Sequence, residues 1–110
     1  MTMLLLTSDR LGEGDDILGK KLMKNFLAQV AEQGTPVDRV ALLNRAVYLA
    51  CEGSEVLESL RAIEARGAKV RSCITCLEHY GLDTRLAAGE IGTMAETVRA
   101  LGEADKVVSL

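Results

Sequence analysis

Two short runs, Met3-Leu4-Leu5-Leu6 and Val40-Ala41-Leu42-Leu43, constrain this chain most, because neither shows any polar alternation. A strand that is apolar at every position has both faces covered, the condition of a parallel sheet packed between helices. Amphipathic stretches of helical period follow these runs. Such alternation implies βα units, and therefore an α/β fold with helices on both faces of the sheet.

The first strand is predicted at Met3 to Thr7, followed by a loop over residues 8–15 that Gly12 and Gly14 turn. Asp15 or Asp16 caps a helix running to about Glu32, with Ile17, Leu18, Leu22, Phe26 and Val30 as its apolar stripe, widened by Met23 and Leu27. Gly19 costs that helix up to ~1 kcal/mol, which a close approach to a strand or another subunit would explain. Gly34-Thr35-Pro36 ends it. Val40 to Leu43 is the second strand, with Asn44 at its carboxyl end. Residues 45–53 fit an extended run and a helical turn equally well.

Ser54 is expected to cap a helix from Glu55 to Ala65 whose inner face is Val56, Leu57, Leu60 and Ile63. A third strand, Lys69 to Ser72, leads into Cys73-Ile74-Thr75-Cys76. Short helical pieces are predicted at Thr75 to Tyr80 and at Asp83 to Ala88. A brief strand within residues 89–92 follows, then a helix from Met94 to about Leu101 capped by Thr93, and a last strand from Lys106 to Leu110. With no linker, low-complexity tract or repeat, residues 1–110 read as one domain.

Composition narrows the functional classes. Apolar residues make up 48% of the chain, but Trp is absent and the aromatics are Phe26, Tyr48 and Tyr80, so the core is aliphatic. A formal charge of -3 with acids and bases interspersed argues against a nucleic-acid partner, which calls for a basic stripe. Met3 to Leu6 is too short for a secretory leader and far short of the roughly 20 residues that cross a bilayer. These features favour the cytoplasm and no membrane partner. There thiols stay reduced, and three cysteines suit a reactive site plus a buried bystander better than a disulfide scaffold.

In open parallel sheets the useful crevice lies beyond the carboxyl ends of the strands. The loop from Ser8 to Gly14, Asn44, and Cys73 with Cys76 are all expected there. Two thiols spaced Cys-x-x-Cys at a strand-to-helix edge can act on each other or on one incoming sulfur species. Backbone N–H groups of Thr75, Cys76 and Leu77 would steady a thiolate. Cys73 is expected at the pocket edge, open to solvent, as the attacking or sulfur-carrying thiolate, with Cys76 as its resolving or supporting partner. The bland alternative is a pair of small buried hydrophobes. A thioredoxin-like redox pair has the same spacing. Cys73, Cys76, His79 and Cys51 are ligand types for zinc, yet the usual second pair is missing, so no metal is assigned.

His79, between Glu78 and Tyr80, reads as solvent-facing, with an option to raise the local positive potential when protonated. Cys51 reads as a core residue. Asp9 is expected to hydrogen-bond loop N–H groups near the pocket. Gly12-Glu13-Gly14 followed by two acids fits neither dinucleotide nor P-loop spacing, so no cofactor is assigned.

The chain resembles the DsrE/DsrF-like family over essentially its whole length, closest to the YedF-like branch, which is sulfurtransferase-like and associated with selenium metabolism. The resemblance rests first on Ser8-Asp9-x-x-Gly12-x-Gly14-Asp15-x-x-Leu18-Gly19-x-x-Leu22-Met23, Asn44 and Glu52-Gly53-Ser54. It continues through Ser72-Cys73-x-Thr75-Cys76-Leu77-x-x-Tyr80-Gly81-Leu82, Gly89-Glu90-Ile91 and Ala104-Asp105-Lys106-Val107. It implies a three-layer α/β/α sandwich around a five-stranded, mainly parallel sheet. It also implies a sulfur relay in which a cysteine eight positions before a glycine, as Cys73 is before Gly81, carries a persulfide to a partner thiol. Homo-oligomers with the cysteine region near subunit contacts are implied as well. YedF-like proteins usually carry an N-terminal TusA-like domain, and nothing here precedes the first strand, so a TusA-like donor or acceptor is expected to act in trans. Two competing functions fit the same residues: a non-enzymatic oligomeric binding or assembly protein, and a dithiol oxidoreductase.

Overall fold

The computed structural model describes residues 1–110. In chain order the elements are β1 (Thr2–Leu6), α1 (Asp16–Gln33), β2 (Arg39–Leu42), a 3-10 helix (Asn44–Ala50), α2 (Leu57–Ala65), β3 (Lys69–Cys73), α3 (Ile74–His79), β4 (Glu90–Gly92), α4 (Met94–Glu103) and β5 (Lys106–Ser109). The strands lie in the order β4-β3-β2-β1-β5, and every pairing is parallel. Successive units step from β1 out to β4. Helix α4 then carries the chain back across the sheet to β5, on the far side of β1.

Alternation along the strands divides the core into two. Leu4, Leu6, Val40, Leu42 and Val70 pack with Met23, Leu27 and Val30 of α1 and with Leu60 and Ile63 of α2. On the opposite face Met3 and Ala41 meet Ala100 of α4. Helices therefore cover both faces, giving three layers around a five-stranded parallel sheet. Burying a Leu side chain fully contributes about 1.5–3 kcal/mol, so the first face supplies most of the stability. The second face is thin, and there the charged residues of β3 find room: Arg71 pairs with Glu90 at 3.4 Å.

Local signals explain the helix ends. The Leu18 N–H donates to the Asp15 carboxylate at 2.8 Å, which makes Asp15 the cap of α1. Gly34 closes the helix in the left-handed conformation, φ 65°. The Glu96 N–H donates to Thr93 Oγ1 at 3.2 Å and caps α4. Ser54 does not cap α2: its hydroxyl accepts from the Val56 N–H at 3.1 Å, and the helix begins only at Leu57.

Other expectations need correction. The buried stripe of α1 is Gly19, Met23, Leu27 and Val30, whereas Ile17, Leu18 and Leu22 are 70%, 53% and 40% exposed. The loop before the helix sets this rotation. The Leu11 N–H donates to the Gly19 carbonyl at 2.9 Å, and a Cβ on Gly19 would stand 3.0 Å from Arg10 Cβ. Gly19 thus admits a loop, not a strand or a subunit. Residues 44–50 form the 3-10 helix, with Ala46, Val47, Leu49 and Ala50 buried. Residues 83–88 are turns rather than a helical piece, because Leu86 forms an antiparallel bridge to Cys51.

Candidate functional site

The carboxyl ends of β2 and β3 bring Asn44, Cys73 and Cys76 together. Asn44 follows β2 with φ 52°, a left-handed conformation that Asn tolerates better than most residues. That geometry aims its backbone N–H at Cys76 Sγ, 3.1 Å away. The Asn44 side chain is occupied as well, since the Tyr80 hydroxyl donates to its Oδ1 at 2.5 Å. Tyr80 packs against Tyr48 and against His79, each with ring centroids 5.1 Å apart.

Cys73 is placed differently from the expectation that it stands open at the pocket edge: it is only 4% exposed. The strand runs one residue further than predicted, so Cys73 still lies in the sheet, in register with Gly92 of β4. Its side chain makes no hydrogen bond to the first turn of α3, and it stands outside both apolar clusters. Cys76, one turn into α3, is half-buried. Burial pushes the Cys76 thiol above its usual pKa, hydrogen bonding and charge from Cys73 push it the same way, and the Asn44 N–H opposes them.

The remaining candidates separate into groups. Leu77 is fully buried and anchors α3 to the core. Thr75 and His79 are exposed. Asp9 lines a cavity of about 380 Å³ together with Lys20, Lys24, Tyr48 and Glu55, and its Oδ1 is buried with no hydrogen-bond partner. Neither Cys73 nor Cys76 lines that cavity, and the exposed Gly12 and Gly14 lie in the same loop as Asp9. Tyr48 is the link between the cavity and the thiols. Two larger grooves, of about 400 Å³ beside α1 and β5 and about 700 Å³ over the charged face, are lined by neither cysteine. Cys51 is buried in the main core, and its thiol donates to the Val47 carbonyl at 3.2 Å.

The linear sequence alone does not mark Tyr80 or Tyr48 as site residues. The available signal was spacing: Tyr80 lies four residues after Cys76 and Tyr48 four after Asn44, and residues four apart on a helix are neighbours. The structure brings together no group of three His, Cys, Asp or Glu able to hold a metal. No helix is long and apolar enough to cross a membrane.

Fold and site together define a parallel α/β/α protein with a dithiol at the carboxyl rim of its sheet. Solved structures share the architecture. The ychN protein of E. coli superposes with a TM-score of 0.71 at 23% identity, covering 100% of both chains. MTH1491 of Methanobacterium thermoautotrophicum, a protein of unknown function, gives 0.71 at 15% identity over 99% of this chain and 97% of its own. BT1422 of Bacteroides thetaiotaomicron, likewise of unknown function, gives 0.65 at 14% identity over 99% and 94%. The fold is thus the DsrE-like three-layer sandwich. No family model matches the sequence, and no curated protein does.

Proposed function

We propose that this chain is a sulfane-sulfur carrier of the DsrE-like type, nearest the YedF-like branch, that holds sulfur on Cys73 with Cys76 as its supporting thiol. The observation that carries the reading is the placement of two thiols at one carboxyl rim, Cys73 at the end of β3 and Cys76 one turn into α3, the latter accepting a backbone N–H at 3.1 Å. A thiolate attacks the outer sulfur of a donor persulfide, the donor leaves as its own thiolate, and the sulfur moves on to a partner thiol by the same exchange. A TusA-like module acts in trans as donor or acceptor in the cytoplasm. Assembly into a homo-oligomer is supported by the exposed apolar stripe of α4, Met94, Val98 and Leu101. The nearness of the thiols also favours a second reading, a Cys73–Cys76 dithiol oxidoreductase, which failure to form that disulfide would exclude.

Intact mass after treatment of the reduced protein with a low-mass persulfide tests the carrier. One added sulfur is expected in the wild type, mapped to Cys73, and none in Cys73→Ala/Cys76→Ala. Equal uptake in that double variant would assign the sulfur to Cys51 and end the proposal.

A further inference from the structure

Resting on the carrier reading, we propose that Cys76 is the thiol that meets the donor, and that Tyr80 positions it by fixing Asn44. Exposure decides the order of the thiols: Cys73 is 4% exposed, whereas Cys76 is half-buried on α3. A donor approaching the rim reaches Cys76 first.

Asn44 holds a positive φ of 52°, and the direction of its N–H depends on that torsion. Nothing in the Asn44 backbone alone keeps it there. The Tyr80 hydroxyl grips Oδ1 at 2.5 Å, and Tyr80 is itself clasped between Tyr48 of the 3-10 helix and His79 of α3. The N–H so held reaches Cys76 Sγ at 3.1 Å. Hydrogen bonds to a charged acceptor are stronger than those to a neutral one, so this contact favours the thiolate. The titratable and charged groups on the segments next to the sulfur are Cys73 on β3, Glu78 and His79 on α3, Tyr80 just after it, and Arg45 and Tyr48 on the 3-10 helix. Of these, Cys73 acts on it directly and disfavours the thiolate. The Asn44 N–H is the counterweight, which makes Tyr80 a positioning residue.

The steps balance. Cys76 thiolate takes the outer sulfur of a donor persulfide, R–S–SH, forming the Cys76 persulfide and releasing R–S⁻. Cys73, as thiolate, then takes that sulfur, forming the Cys73 persulfide and regenerating the Cys76 thiolate. No oxidant or reductant is consumed. The buried second position would keep the persulfide away from solvent.

The test is limited alkylation of the reduced full chain with iodoacetamide across a pH series, mapped by peptide mass. Cys76 is expected to be modified before Cys73. Tyr80→Phe keeps the ring contacts but loses the hydroxyl. It should move the Cys76 profile to higher pH and slow modification below its midpoint about three- to tenfold, part of the contribution of a charge-assisted hydrogen bond. Cys51, 1% exposed, should stay unmodified in both proteins and so report an intact fold. Modification of Cys73 first, or superimposable profiles for wild type and Tyr80→Phe, would overturn the proposal. In a second arm with a low-mass persulfide, Cys76→Ala should load at least ~10-fold more slowly than Cys73→Ala, since the donor must reach a buried sulfur. Equal rates would overturn the order of the thiols and leave the carrier reading intact. Absence of loading in every form would remove the carrier reading, while the alkylation arm would still decide the role of Tyr80.

Discussion

Truncating Leu77 to Ala tests whether one side chain holds the candidate site closed. Leu77 is fully buried, with 0% of its surface left to solvent, and is the one buried residue of the six in α3. A helix that short does not persist on its own, so its position depends on this anchor. Leu-to-Ala truncation in a core costs about 2.7–5 kcal/mol. If the lower figure falls on local opening of α3, the open population rises ~100-fold, at about 1.4 kcal/mol per factor of ten. Cys73 lies at the start of that helix and is 4% exposed. Its alkylation should therefore accelerate by about that factor when closing outpaces modification. The assay follows Cys73 and Cys51 in the same sample, with urea unfolding measured alongside. Cys51 belongs to the main core and opens with the whole domain. Cys73 acceleration that merely equals that of Cys51 would refute the idea that α3 is released separately.

Three further outcomes are expected. Burial, and then the nearby Glu52 charge, push the Cys51 thiol above its ordinary pKa. A folded-state pKa raised in this way gives stability that is full below that ordinary value and lost as pH rises through the folded value. Cys51→Ala should therefore lose less stability than wild type between neutral and strongly alkaline pH, and an equal loss in urea midpoint would contradict the assignment. Cys73→Ala removes a group that raises the Cys76 pKa, so the alkylation profile of Cys76 should move to lower pH; movement upward would count against direct coupling. Gly89 has φ 72°, and a Cβ there would lie 2.5 Å from the Val70 carbonyl oxygen, whereas Gly12, φ 82°, faces open space. Gly89→Ala should cost about 2–4 kcal/mol from strain plus overpacking, and Gly12→Ala about 1–2 kcal/mol from strain alone. Equal urea midpoints would show that the close approach to β3 does not matter.

The order of elements and the class of sheet are legible in the linear pattern alone. The unbroken apolar runs of β1 and β2 could serve only strands covered on both sides, and Asp15, Gly34 and Thr93 mark helix ends through bonds made within a few residues. Asn44 and the Cys-x-x-Cys pair were legible as neighbours because parallel strands end on the same edge. The remaining features depend on how distant segments pack. Periodicity says which residues share a face, but not how far the helix turns about its axis, so only the loop packed on Gly19 shows that Leu18 and Leu22 point outward. The place of Cys73 in the sheet is set by its register with Gly92, and the hold on Cys76 by Asn44 and Tyr80, which are 36 residues apart. Both are contacts between distant segments, and a linear pattern carries no term for them until the sheet has closed.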